Sequence, residues 1–122
     1  MTDKQVAATI LQQLGGKRFM FMTGIKDFFT NGDDLCMKLG RNASKANQLQ
    51  IKYDYGTDLY IMRFFRFTPP RYISKTGKLT EEKIIEIKTF EDVFFDQLEE
   101  LFREVTGLET RFPKIRRTMY HE

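Results

Sequence analysis

The chain has 122 residues and a formal charge of +3, from 20 Lys+Arg against 17 Asp+Glu. That is enough chain for one modest core, and the basic excess is too small to mark a dedicated polybasic binder. With Cys36 the only cysteine and His121 the only histidine, an internal disulfide is ruled out and a His-based metal or catalytic site is not expected. No apolar run approaches the ~20 residues of a membrane span, and the residues before Lys17 lack the apolar stretch of a secretory signal, so the expected setting is cytoplasmic. No linker, low-complexity block or internal repeat divides the sequence. Residues 1–110 therefore read as a single α+β domain and 111–122 as a basic C-terminal tail.

Thr2 with Gln5 three residues later has the form of a capping box. Val6, Ala7, Ile10, Leu11 and Leu14 follow at helical spacing and Gly15-Gly16 supplies a stop, which predicts a short helix over roughly residues 3 to 15. From Lys17 the period changes to two. Phe19 and Phe21 alternate with Met20 and Met22, and after Gly24 a segment from Ile25 to Thr30 reaches Asn31-Gly32, a strong hairpin signal. Leu35, Met37 and Leu39 form one face of the returning strand. Gly40 to Lys45 is a polar loop, and Leu49, Ile51 and Tyr53 mark the next strand. Tyr55-Gly56-Thr57 turns the chain into an aromatic-rich strand from Leu59 to Phe67.

Thr68-Pro69-Pro70 ends that strand, and the stretch to Thr80 is predicted to be an exposed excursion. A short strand covers about Lys83 to Lys88. A longer helix is then expected, with Thr89 as N-cap, Phe90, Val93, Phe94, Leu98, Leu101, Phe102 and Val105 as its apolar stripe, and Gly107 as its stop. The predicted α+β architecture is a single twisted antiparallel sheet of four to six strands. A long C-terminal helix packs on one face, and a short N-terminal helix precedes the sheet. This order of elements is analogous to the Whirly single-stranded-DNA-binding fold, without a shared motif.

Three segments, Ile10 to Phe28, Leu39 to Asn47 and Phe90 to Arg111, carry a resemblance to small uncharacterised proteins of bacteriophages and integrating elements of gut bacteria. The shared pattern is LGG-x-x-F-x-x-MTG-x-K, then RN-x-x-KAN, then VTGL-x-T-R. The resemblance implies a mobile-element setting inside a bacterial host cell. It carries no functional residue with it.

Charge distribution is the most informative feature. Between Leu59 and Thr80 lie Arg63, Arg66, Arg71, Lys75 and Lys78 with no acidic residue, interleaved with Tyr60, Phe64, Phe65, Phe67 and Tyr72. Cations neutralise phosphates while flat rings stack on bases, a combination suited to single strands. If Leu59, Ile61, Phe65 and Phe67 face the helix, then Tyr60, Met62, Phe64 and Arg66 lie on the open face with Gln48, Gln50, Lys52 and Lys38, and Arg63 is a misfit on the inward parity. The competing reading makes these aromatics ordinary core. The loop Arg41-Asn42-Ala43-Ser44-Lys45 offers cations and backbone N–H groups to a phosphate, or is simply a solvated connection. The expected nucleic-acid-binding residues are Lys38, Arg41, Lys45, Lys52, Tyr60, Phe64, Arg66, Arg71, Lys75 and Lys78.

The predicted C-terminal helix carries Glu91, Asp92, Asp96, Glu99, Glu100 and Glu104 against Arg103. Its outer face should therefore repel phosphate, or else present an acidic surface to a host protein. Asp33-Asp34 and Asp54/Asp58 read as turn chemistry, and Cys36 has no His partner for nucleophilic work. Basic residues of the tail, Arg111, Lys114, Arg116 and Arg117, could clamp phosphates or merely keep the end in solution. The function expected is a small non-catalytic nucleic-acid-binding protein, with single-stranded DNA as partner and no cofactor or metal. The alternative is a phage-encoded protein-interaction module that inhibits or redirects a host protein. A homo-oligomer is expected as well, because Met20, Met22, Met62 and Phe64 would otherwise leave an apolar patch exposed.

Overall fold

The computed structural model describes residues 3–110, so Thr2 of the capping box and the tail 111–122 lie outside the described residues. Helix α1, Asp3–Leu14, forms as its periodicity requires, with Val6, Ala7, Ile10 and Leu14 buried along one stripe. The next segment departs from expectation. Gly16–Thr23 is a second helix, α2, rather than a strand. Gly15 at φ 130° and Gly16 at φ 59° make a corner that no L side chain adopts easily, and a Cβ on Gly15 would stand 2.8 Å from Arg18 Nη2. Turned this way, Phe19 is fully buried against Phe102, ring centroids 4.8 Å apart, while Phe21 is 75% exposed. Alternation of Phe with Met carried no strand signal here, since Lys, Arg and Met are good helix formers.

The sheet is a five-stranded antiparallel array in the order β1-β2-β3-β4-β7, with β1 Phe28–Asn31, β2 Asp34–Lys38, β3 Gln48–Asp54, β4 Leu59–Thr68 and β7 Lys83–Val93. Asn31 pairs with Asp34 around Gly32 at φ 64°, so the hairpin forms where it was expected. The excursion between β4 and β7 carries its own small hairpin, β5 Tyr72–Ile73 with β6 Lys78–Leu79.

On β4 the faces are the reverse of the expected ones. Leu49 lies opposite Phe64, Ile51 opposite Met62 and Tyr53 opposite Tyr60, and Tyr60, Met62 and Phe64 are buried beneath the helices. The other face carries Ile61, Arg63, Phe65 and Phe67 beside Gln48, Gln50 and Lys52. Both sets are largely apolar, so periodicity alone could not choose between them. Each set holds one arginine, and their positions decide: Arg63 sits mid-strand, where burying an unpaired guanidinium would cost several kcal/mol, whereas Arg66 falls towards the end of β4, exposed and bonded to the Lys45 carbonyl. One cross-strand row of the inner face, Leu35, Ile51, Met62 and Phe90, gives the core its floor. Met62 and Phe64, expected on an open patch, have no exposed surface, while Met20 and Met22 of α2 are half-buried.

The C-terminal helix is short. Phe95–Gln97 is one turn of 3-10 helix and α3 covers Leu98–Thr106, while Thr89 to Val93 belong to β7. Phe90 pairs with Met62 and Val93 with Tyr60, so a single residue of β4, Ile61, faces both Glu91 and Asp92. Asp92 takes φ 54° in this bulge. The extra residue turns a strand's i, i+2 spacing into i, i+3, which is why Phe90 and Val93 mimicked a helical stripe. All three helices pack on the inner face around Ile10, Leu14, Phe19, Leu98 and Phe102. No helix among the described residues is long and apolar enough to cross a membrane.

Candidate anion-binding surface

The loop between β2 and β3 is held by its own side chains. Asn42 Nδ2 donates to the carbonyls of Gly40 and Ala46, each at 2.8 Å, and Asn42 Oδ1 accepts from Ser44 N and Ser44 Oγ. Asn47 clasps β4, donating to Phe67 O at 2.8 Å and accepting from Phe67 N at 2.7 Å, and Ala43 N donates to Thr106 O at 2.9 Å. Asn42 and Ser44 are therefore committed to the fold and do not form the phosphate cradle that the loop sequence suggested. The cations differ. Lys45, at φ 68°, offers its carbonyl to Arg66 Nη1 at 3.0 Å, which draws the end of β4 against the loop.

Arg41, Lys45 and Arg66 converge on a concavity of about 500 Å³ whose lining, completed by Leu39, Gly40, Asn42, Ala46 and Asn47, contains no carboxylate among the described residues. All three cations are exposed, and none has an acidic partner among the described residues. Lys38, at the end of β2 opposite Gln48, is exposed near the same end of the sheet. The β5–β6 hairpin leaves β4 there too, carrying exposed Arg71, Lys75 and Lys78 with Tyr72, which is 65% exposed. Backbone bonds between Arg71 and Thr80 and from Gly77 N to Ile73 O, 2.7 to 2.8 Å long, give the hairpin its shape. Acidic Asp27, Glu81 and Glu82 flank this end.

Three expected site residues do not join it. Phe64 is wholly buried, and Tyr60 is 7% exposed with its hydroxyl donating to Gln13 Oε1 at 2.7 Å, so neither ring reaches a base. Lys52 stands on the outer face, midway along β3, where its charge acts on Asp34. Among the described residues, that outer face carries no helix. A polar chain crosses it: Arg63 Nε donates to Glu86 Oε1, Arg63 Nη1 to Gln50 Oε1 at 3.2 Å, and Gln50 Nε2 to the buried carboxylate of Asp34 at 2.8 Å. The Arg63 guanidinium also lies 4.3 Å from the ring centre of Phe65. The missed outer-face residues are thus Arg63, Phe65 and Phe67, and the parity misfit of Arg63 was the signal pointing to them.

The expected separation of charge holds at the basic end only. Arg63 is neutralised by Glu86. The acidic helix face shrinks to Glu100 and Glu104, because Glu91 and Asp92 sit on β7, Asp96 lies in the 3-10 turn, and Glu99 points inward to accept from Arg18 Nη2 at 2.9 Å and Thr110 Oγ1 at 2.6 Å. Burial, and secondarily the charge of Asp34, push the Cys36 thiol up to about 11, so it is protonated at neutral pH. Among the described residues no three His, Cys, Asp or Glu side chains gather as metal ligands would. Comparison of the chain with protein-family models, curated proteins and solved structures gives no match.

Proposed function

We propose that the chain is a small non-catalytic nucleic-acid-binding protein that takes single-stranded DNA at the basic end of its sheet. The supporting observation is the convergence of Arg41, Lys45 and Arg66 on a concavity without a carboxylate, beside the basic β5–β6 hairpin. A phosphate backbone bends through such a cleft and replaces its counterions with fixed cations. Arg71, Lys75 and Lys78 extend the track, and Tyr72 offers an exposed ring to an unpaired base. A bacteriophage or integrating-element setting, in the cytoplasm of a bacterial host, belongs to the same proposal and rests on the sequence resemblance.

The test is a fluorescence-anisotropy titration with a single-stranded oligonucleotide at 50 and 200 mM salt. The three cleft contacts alone contribute about −2 to the log–log slope, at least a roughly 18-fold loss of affinity across that fourfold range of salt, and the hairpin cations steepen it. Arg41→Ala removes one contact and should flatten the slope by about 0.7, making the loss roughly 2.6-fold smaller. Absence of binding by the wild type at low salt and tens of micromolar protein refutes the proposal, as does an unchanged slope in Arg41→Ala.

One observation favours the protein-interaction reading. Strand β7 is eleven residues long, pairs among the described residues with β4 along one side only, and exposes Ile84 and Ile85 by 50% and 53%. A free apolar edge of that length is a template for a further strand, from a host protein or a second copy of this chain. If the oligonucleotide does not bind, this edge becomes the functional surface.

A further inference from the structure

At the other end of the β3–β4 hairpin, some seven residues along β3 from the basic cleft, two adjoining concavities of about 290 and 480 Å³ share Tyr53, Asp58 and Tyr60. Their helical wall is α1, whose Val6, Thr9 and Gln13 fall at i, i+3 and i+7 and so line one stripe over about 10 Å. The opposite wall is aromatic. Tyr53 meets Tyr55 edge-on at 4.7 Å and Tyr60 at 5.5 Å. Phe94 and Phe95, 55% and 61% exposed, stand at the Gln13 end.

The three tyrosine hydroxyls are held: Tyr53 donates to Asp58 Oδ1, Tyr55 to Asp33 Oδ2 at 2.6 Å and Tyr60 to Gln13 Oε1 at 2.7 Å. Bonding to Asp58 pushes the Tyr53 hydroxyl up to about 12, so it remains a donor. Among the described residues Asp58 Oδ2 accepts no hydrogen bond, and neither concavity is lined by a Lys or Arg. A preformed cluster of ring faces with one available carboxylate oxygen is complementary to an organic cation. One carboxylate is too few oxygen ligands for a hard metal ion. The groove's length of about 10 Å matches three residues of extended chain.

We propose that this groove binds an Arg or Lys side chain presented by an extended basic peptide, its cationic head paired with Asp58 over the rings of Tyr53 and Tyr55 and its neighbours against Phe94 and Phe95. The site is at the far end of the sheet from the anion-binding cleft and does not depend on it. With no tryptophan in the chain and five tyrosines, of which Tyr53, Tyr55 and Tyr60 line the groove, tyrosine fluorescence reports its occupancy directly.

The experiment titrates the full chain with acetyl-Ala-Arg-Ala-amide, its citrulline counterpart and tetramethylammonium chloride at constant ionic strength. The arginine peptide should give a saturable change, and citrulline, equal in shape but uncharged, should bind about tenfold more weakly. Asp58→Asn should cost a similar factor; asparagine tolerates the φ of 61° at this position, so the variant keeps its fold. Phe95→Ala should weaken the peptide and leave tetramethylammonium unchanged. Equal affinity for the citrulline peptide, or wild-type affinity in an Asp58→Asn variant of unchanged urea midpoint, overturns the proposal. Tetramethylammonium binding as tightly as the arginine peptide overturns the assignment to a peptide.

Discussion

Truncating two adjacent phenylalanines of β4 separately should give very different results. Phe64 has no exposed surface, lies opposite Leu49 and meets Phe90 edge-on at 6.3 Å, so Phe64→Ala loses a full aromatic transfer energy and leaves a cavity. Losses of about 3–5 kcal/mol are typical of that change, a large share of the ~5–15 kcal/mol that holds a domain folded. For a domain of this size the melting temperature should fall by roughly 10–20 °C. Phe65 is half-buried on the helix-free face with the Arg63 guanidinium over its ring, and Phe65→Ala should cost only about 1 kcal/mol. Urea unfolding followed by far-ultraviolet circular dichroism measures both, and an unchanged m-value confirms that midpoints can be compared. Equal losses, or the larger one at Phe65, would put the odd-numbered residues of β4 inward and refute the assigned faces. Since Phe64 cannot reach a ligand, any effect of Phe64→Ala on oligonucleotide binding should track the folded fraction alone.

Burial pushes the Asp34 carboxyl above its ordinary range, with the Gln50 bond and Lys52 opposing. The folded state therefore binds that proton more tightly than the unfolded chain, and stability falls as pH rises through the interval between the two pKa values. Asp34→Asn should be at least as stable as the wild type at neutral pH, an advantage that vanishes as the pH is lowered below the ordinary carboxylate range; urea midpoints from about pH 3 to pH 7 would show this, and a variant less stable at pH 7 contradicts it. Cys36, its thiol pushed up to about 11 and its side chain buried, should react with a thiol-specific disulfide reagent far more slowly in the native protein than in urea, and equal rates would contradict its placement.

Much of the architecture was legible in local pattern. The stripe of α1, the hairpin at Asn31-Gly32, the β3–β4 pair and the excursion after Pro69-Pro70 each rest on neighbours in sequence, where periodicity and turn chemistry act. Residues 17 to 23 became helical because a glycine corner and the ring of Phe102 made a better site for Phe19 than a strand would. Phe90 to Val93 became strand because one bulge residue, Asp92, altered the spacing from which a helix was read. On β4 both faces are largely apolar, so burial was decided by the partner strand and by the cost of enclosing Arg63, quantities that exist only once the sheet is assembled. The basic cleft shows the same division. The sequence marks Arg41, Lys45 and Arg66 as cations, but their convergence depends on a hydrogen bond between residues 21 positions apart, from Arg66 to the Lys45 carbonyl. Charge type is a property of each residue, whereas its neighbourhood, and with it the removal of Phe64, Tyr60 and Lys52 from the site, belongs to the fold.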